Sequence, residues 1–534
     1  MTPRTPASQS AAVPVAARSA SVRSRTRPVA RSETGLIDPT NFLLATRDSG
    51  YRSTAFVVAE FIDNAVQAGA TRVDVSARNT KVGPTPIELQ IMDDGSGMDA
   101  DHLAASLAFG GSSRFDDRSS LGRYGMGLPN GGLSRARRIE VYSWRGDAVL
   151  HTWLDLDEVL GKGRRMLPAV RELQRDEFVA PTASGTAVVL KRCDRLEYRR
   201  LSSLTQRLRA DLGRIYRRYI RDGLVIAVDG ESVQQTDPLL LETPYADGAA
   251  TVFGDELTYT INGHGGPGEV TVRFSELPVS AWHDLPSDEK RRRGITHGPT
   301  VSVLRAGREV DSGWFFMGSK RRENYDDWWR CEINFDPSLD ELFGITHAKQ
   351  SIVPAQDLRE TLQGDLEPIA RALNARVRAA FESVKLTARL SDAERQAAKA
   401  DASLPPRRVS TPRDQEPLRA LARELLGEVR DGASAPYRIG IAPLHGTAAF
   451  EVLREPMQLV LLLNSRHPLI RDLYEPLALS DAASEQELAN RVVLALLAAA
   501  RAEEGLQTSG DTVEMDRFRS DWADVIATFF NAST

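Results

Sequence analysis

Glu60-Phe61-Ile62-Asp63-Asn64-Ala65 lies inside a run, residues 54–69, in which the apolar residues Phe56, Val57, Phe61, Ile62 and Val66 recur at helical spacing. Gly69 is a natural stop for that helix. On it Glu60 and Asn64 stand one turn apart on the same face, while Phe61 and Ile62 point elsewhere and can pack into a sheet. A carboxylate and a carboxamide stacked in this way suit two tasks. The amide oxygen of Asn64 can bind a hard cation such as Mg²⁺. The carboxylate of Glu60 can orient or deprotonate a water aimed at a phosphate. Taken alone, the same residues also describe the polar face of an ordinary amphipathic helix.

Two strand-like runs follow, residues 72–77 and 87–92. The second leads into Asp93-Asp94-Gly95-Ser96-Gly97-Met98, with a helix expected from about Asp99. Gly95 and Gly97 let the backbone approach a ligand closely. An aspartate at a strand end can accept a hydrogen bond from an exocyclic amine, a way to choose adenine. The plain alternative is an Asp-Gly turn. Residues 109–127 hold many Gly, Ser and Arg and little apolar pattern, which predicts a long functional loop. It ends in Gly122-Arg123-Tyr124-Gly125-Met126-Gly127-Leu128-Pro129-Asn130, where bare amides precede a helix expected to start at Pro129. Such a junction is an anion site. No strand immediately precedes it, so it is not a Rossmann fingerprint. Further strands are expected at 139–144 and 187–191, the latter entered through Ser184-Gly185-Thr186.

The four motifs stand in the order of the boxes of the GHKL family: gyrase B, MutL, the ninety-kilodalton heat-shock chaperones, histidine kinases and MORC proteins. Glu60-x-x-Asp63-Asn64 resembles the first box and Asp93-x-Gly95-x-Gly97 the second. Gly122-x-x-Gly125-x-Gly127 resembles the third and Gly185-Thr186 the fourth. The resemblance covers about residues 35–230 and is most like MORC-type sequences in the third box. It implies a Bergerat-type α/β sandwich that holds ATP and Mg²⁺ between helices and a lid. By that resemblance Asp93 recognises adenine with support from Thr186, Asn64 holds Mg²⁺, and Gly122, Gly125 and Gly127 cradle the phosphates. Glu60 acts on the attacking water. One departure is that Pro129-Asn130 stand where many MORC-like proteins carry a lysine. Arg114 or Arg123 can supply that charge, and so can a lysine further along. In Phe343-Gly344-Ile345-Thr346-His347-Ala348-Lys349-Gln350, Lys349 resembles the lysine that an S5-like transducer domain sends to the terminal phosphate. Its bland reading is a solvated surface lysine.

The rest of the chain is read as a sequence of units. Residues 1–34 are rich in Arg, Ala, Ser and Pro with Glu33 as the only acid, which predicts a disordered basic tail. A transit peptide has similar composition, but no cleavage site is visible. After the ATP-binding unit at 35–230 comes a mostly β unit at 231–352, read as the S5-like transducer. Residues 353–412 read as a bridging helix, 358–385, followed by a charged, Pro-containing linker from about 391. Residues 413–534 read as an acidic C-terminal α/β domain, with 12 Lys and Arg against 19 Asp and Glu. An Arg-rich helix is expected at 201–219, a solvated ion-paired face by default and a DNA contact by the bolder reading. His467, in Leu463-Asn464-Ser465-Arg466-His467-Pro468, is a catalytic candidate without a visible partner, more ordinarily structural.

The chain of 534 residues has a formal net charge of -5 and 41% hydrophobic residues, enough for several ordinary cores. No apolar run is long enough to cross a bilayer. Two cysteines, Cys193 and Cys331, cannot staple a protein of this length, which points to a reducing, cytoplasmic setting without a membrane. The expected activity is Mg²⁺-dependent ATP hydrolysis that drives a switch: the 109–124 lid closes over ATP, two copies pair as a homodimer, and hydrolysis releases them. Two rivals were weighed. A histidine-kinase-like phosphotransferase needs a helical domain with a phospho-accepting His ahead of the pocket, and only a basic tail precedes it here. A nucleotide-gated binding module with little hydrolysis has no need of Glu60. The client stays open between DNA and a protein.

Overall fold

The computed structural model describes residues 38–48, 51–80, 87–110, 126–162, 166–174, 177–178, 180–242, 245–296, 301–345, 351–401, 403–404, 415–426, 435–455 and 458–506, with single positions near 520. Gly122, Gly125 and Lys349, the substitutes Arg114 and Arg123, and all of the 109–124 lid past Gly110 lie outside the described residues.

The first unit opens with α1 (Pro39–Asp48) and α2 (Thr54–Gln67). Then come β1 (Arg72–Asn79), β2 (Ile87–Asp93), α3 (Ala100–Ser106), α4 (Gly127–Arg135), β3 (Ala136–Arg145) and β4 (Ala148–Asp155). It closes with α5 (Leu156–Lys162), β5 (Arg171–Glu172), β6 (Ser184–Cys193), α6 (Leu201–Ile215), α7 (Arg217–Arg221), β7 (Val225–Val228) and β8 (Glu231–Ser232). The strands form one eight-stranded sheet in the order β5-β4-β3-β6-β2-β1-β7-β8, antiparallel throughout except for the β1–β7 pair. Strand alternation builds the core. Val73 and Val75, Leu89 and Ile91, Ile139 and Val141, and Val188 and Leu190 all face one side, where α2, α4 and α6 cover them. This is the α/β sandwich the motifs called for.

The second unit is a five-stranded sheet ordered β12-β11-β13-β10-β9. Its strands are β9 (Thr251–Gly263), β10 (Gly266–Glu276), β11 (Val301–Arg305), β12 (Arg308–Gly313) and β13 (Trp329–Phe335). Short helices α8 (Val279–Trp282), α9 (Ser287–Arg292) and α10 (Asp340–Phe343) lie between and after them. The third unit pairs β14 (Tyr437–Ala442), β16 (Gln458–Asn464) and β15 (Phe450–Glu455), in that order across the sheet. Every residue of β16 is buried. Its odd positions Leu459, Leu461 and Leu463 enter one core, under α13 (Glu475–Leu479) and α14 (Ala483–Leu506). Its even positions Val460 and Leu462 enter another, under α12 (Glu416–Leu426).

Joining the two is α11 (Gln356–Asp401), a helix of 46 residues. It does bridge, but it runs through 391–401, where a linker was expected. Leu358, Leu362, Leu366 and Leu373 pack into the second unit, and Leu390 and Ala393 into the third. Arg395 and Lys399 are exposed, while Glu394 turns inward and accepts from the Ile439 amide at 2.6 Å. The Arg-rich helix also differs from expectation, since it breaks at Tyr216 into α6 and α7. Among the described residues no helix is long and apolar enough to cross a membrane. Cys193 and Cys331 are both free and buried.

Candidate functional site

Helix α2 carries the first box. Its N-terminus is capped by a residue far along the chain: the Glu197 carboxylate accepts from the Thr54 amide at 2.9 Å and is itself held by Arg135, also at 2.9 Å. Gly69, with φ +73°, ends the helix as expected. Glu60 is buried, and Asn64 is half-buried one turn on. Helix α4 begins at Gly127, two residues before the expected Pro129. A Cβ added at Gly127 would lie 2.1 Å from Glu60 Oε1. The glycine is therefore required, and the Glu60 carboxylate sits against the first turn of α4.

The second and fourth boxes meet across the sheet. Asp93 and Thr186 face each other in the β2–β6 register. Asp93 Oδ1 accepts from the Gly95 amide at 2.9 Å. Burial pushes the Asp93 carboxyl up to about 6, against the pull of the Gly95 and Thr186 backbone N–H groups. Asp94 is different. Burial works against its charge too, but hydrogen bonds from Thr71 and Arg72 outweigh it and hold this carboxyl below its ordinary range. Asp94 fastens the loop to the start of β1, and Asp93 faces β6. The loop packs back on the end of α2, where the Ser96 amide donates to the Ala68 carbonyl at 3.0 Å.

Two residues that sequence reasoning missed hold this corner. Ser143 Oγ accepts from the Met98 amide at 2.7 Å and lies 3.1 Å from both the Gly185 carbonyl and Thr186 Oγ1. Arg145 donates to the carbonyls of Ser96 at 3.0 Å and Gly97 at 2.9 Å. A serine buried in a strand of Val and Ile was the available signal for Ser143. Arg145 carried none, because its partners are backbone oxygens. Gly97 has φ +65°, and a Cβ there would lie 2.4 Å from the Trp144 carbonyl oxygen. Gly97→Ala is expected to cost about 1–3 kcal/mol of stability, read as a lower Tm together with weaker nucleotide binding. An unchanged Tm would mean that the loop does not take this path.

The structure thus brings Glu60 to Gly127, and Asp93 to Gly95, Gly97 and Thr186, at two places along one helix. The middle of α2, at Glu60, faces the start of α4, and its C-terminal end, at Ala68, faces the Asp93 loop. Eight residues of helix separate them, about 12 Å, which suits a nucleotide lying along α2 with its phosphates at one end and its base at the other. Among the described residues no group of His, Cys, Asp and Glu is able to hold a metal ion by itself.

The Arg-rich helix turns its charge inward. Arg217 bridges Glu309 at 2.8 Å and Glu332 at 2.6 Å in the second unit, and Arg218 joins Glu332 at 2.7 Å. Arg214 also pairs with Glu309. Arg207, Arg209 and Arg221 pair with Asp211, Glu231 and Glu242. These six arginines form an ion-paired face, the ordinary alternative to a DNA contact. His467 is structural in the same sense. It is buried, lies 3.0 Å from the Ala523 carbonyl through Nε2, and accepts from the Leu469 amide at 3.2 Å through Nδ1.

Residues 51–186 match the family model described as histidine kinase-, DNA gyrase B-, and HSP90-like ATPase. ATPase MORC2 of Homo sapiens is 32% identical over 93 residues, 17% of this chain and 9% of that protein. The DNA mismatch repair protein MutL of Bradyrhizobium sp. (strain BTAi1) is 30% identical over 162 residues, 29% of this chain and 25% of that protein. The similarity therefore spans a quarter or less of these relatives. The box order, the mostly antiparallel sheet under its helices and these matches make the first unit similar to the ATPase domains of the GHKL family, MORC and MutL proteins among them.

Proposed function

We propose that the chain is a Mg²⁺-dependent ATPase used as a conformational switch. The observation that supports it best is the placing of Glu60, at the middle of α2, against α4, and of Asp93 beside Thr186 near the C-terminal end of α2. Asp93 recognises the adenine amine, with Thr186 and Ser143 fixing its surroundings. The amides of Gly122, Gly125 and Gly127 take the phosphates, and Gly95 and Gly97 allow the close approach of the backbone. Asn64 holds Mg²⁺, which neutralises phosphate charge when bound. Glu60 orients the attacking water and accepts its proton. The second unit acts as an S5-like transducer, and its Lys349 meets the γ-phosphate. Lid closure over residues 109–124 favours pairing of two copies, and hydrolysis releases them. The client is DNA or a protein.

The base-recognition step has a pH signature. The adenine amine donates, so the pocket needs an ionised Asp93. With its carboxyl at about 6, ATP affinity is expected to be full at pH 7 and to fall about tenfold by pH 5, one unit below that value. Asp93→Asn is expected to weaken ATP binding at pH 7, to reduce the preference for ATP over GTP and to abolish the pH dependence. Calorimetric titration of both proteins with ATP and GTP across this range checks it. Equal affinity of wild type and variant at every pH removes Asp93 from the pocket. In the empty protein the sign is reversed. A carboxyl raised from 3.8 favours the folded state at low pH, and that contribution is lost as pH rises through about 6.

A further inference from the structure

Strand β12 of the second unit is fastened to the first unit at three of its positions. Glu309 takes Arg214 and Arg217, and Asp311 takes Arg52 at 3.0 Å. The deepest contact is Arg308. Its side chain and that of Asp63 are both 0% exposed, and Arg308 Nε donates to Asp63 Oδ1 at 3.1 Å. The Tyr216 hydroxyl, between α6 and α7, lies 2.6 Å from the same Asp63 oxygen and 2.5 Å from the Ala59 carbonyl. Asp63 follows Glu60 by three residues and immediately precedes Asn64. A buried polar contact from the second unit therefore lands on the helix that carries both groups, within one turn of each.

We propose that Arg308 is a positioning residue of the ATPase: through Asp63 it fixes the rotation and register of α2, and with them the seat of Glu60 against α4. This rests on the ATPase reading of the site. Geometry is the reason. Glu60 occupies the space left by the absent side chain of Gly127, since a Cβ there would reach it at 2.1 Å. A small turn of α2 about its axis moves the carboxylate off the first turn of α4, and misplacement by about 1 Å costs roughly 100-fold in rate. Stability is a weak reason to bury such a pair. Taking both charges out of water offsets most of their attraction, and apolar replacements of similar volume are often neutral. Fixing one register is a better-attested use of a buried pair, and here the pair spans two units.

The test separates register from stability. Arg308→Met, Arg308→Lys and the double variant Asp63→Leu/Arg308→Met are compared with wild type and Glu60→Ala in the full chain. Turnover at saturating ATP, ATP affinity and thermal unfolding are measured. Arg308→Met leaves a buried carboxylate alone and is expected to lose both stability and turnover. In the double variant the charge of Asp63 goes with that of Arg308, so most of the loss in Tm is expected to recover. Turnover is expected to stay roughly 10- to 100-fold down, with ATP affinity within about threefold of wild type. Arg308→Lys, which keeps a charge for Asp63, is expected to fall between. Turnover that recovers together with Tm in the double variant, or a wild-type rate in Arg308→Met, overturns the proposal while leaving the ATPase intact. A wild-type protein that turns over no ATP overturns the ATPase reading itself, and this proposal with it.

Discussion

Glu60→Ala is expected to bind ATP within a few-fold of wild type and to lose roughly 10²–10⁴-fold in hydrolysis, the span associated with a positioned general base. The carboxylate is 4% exposed and is pressed against the first turn of α4, where phosphates are expected. An anion in that position repels bound phosphate in the ground state, so its removal does not weaken ATP binding. What goes is the acceptor for the proton of the attacking water. Phosphate release at saturating ATP, set beside ATP affinity by calorimetry, checks it. Equal losses in both would make Glu60 a structural residue. The variant has a further use. Trapped with ATP, it should hold its client, and a pull-down compared with and without ATP identifies it.

Lys349→Ala is expected to lower turnover by roughly 10- to 1,000-fold, a loss of roughly 1.4–4 kcal/mol of transition-state stabilisation. ADP affinity is expected to barely change, because ADP offers no γ-phosphate to an ammonium. Asp311 supports this reading close in sequence to Lys349. One of its carboxylate oxygens accepts from the Ile352 amide at 3.1 Å and the other from Arg52 at 3.0 Å, two residues ahead of α2. Ile352 is thereby tied to the ATP-binding unit. Steady-state ATPase rates and ADP titrations of the full-length variant decide it. A full rate removes Lys349 from the site. A fragment ending near Gly230 is a poor substitute for the point variant, since it strands buried Asp63 without Arg308.

Much of the first unit was legible because period and punctuation agree there. Residues 54–69 repeat at helical spacing and stop at Gly69, as α2 does. β2 and β6 read as strands through their Leu, Ile and Val residues, and the boxes sit at the ends of these elements. The rest was hidden for three physical reasons. The partners of α6 and α7 are distant: Glu332 lies 115 residues from Arg217, and no local pattern announces it. Arg145 donates to the backbone carbonyls of Ser96 and Gly97, which leave no trace in side-chain sequence. In α11 the buried positions Leu390 and Ala393 are spaced as a helix stripe, but the charges around them outweigh that stripe in composition. A linker and an exposed helix face have the same residues. They differ only in what the few apolar ones touch.

Helix α11 also sets a length scale for the molecule. Its 46 residues span about 69 Å at 1.5 Å per residue. Its N-terminal half belongs to the core beside β12, and its C-terminal half to the core of the third unit. Turned as one body by about 5°, such a rod carries its far end through about 6 Å. Sub-ångström adjustments near a terminal phosphate are too small to recruit or release a partner directly. On the proposed switch, a rod anchored in both hydrophobic cores would magnify them by leverage. The acidic C-terminal unit would then swing as a pointer, reporting from a distance whether the nucleotide still carries its last phosphate.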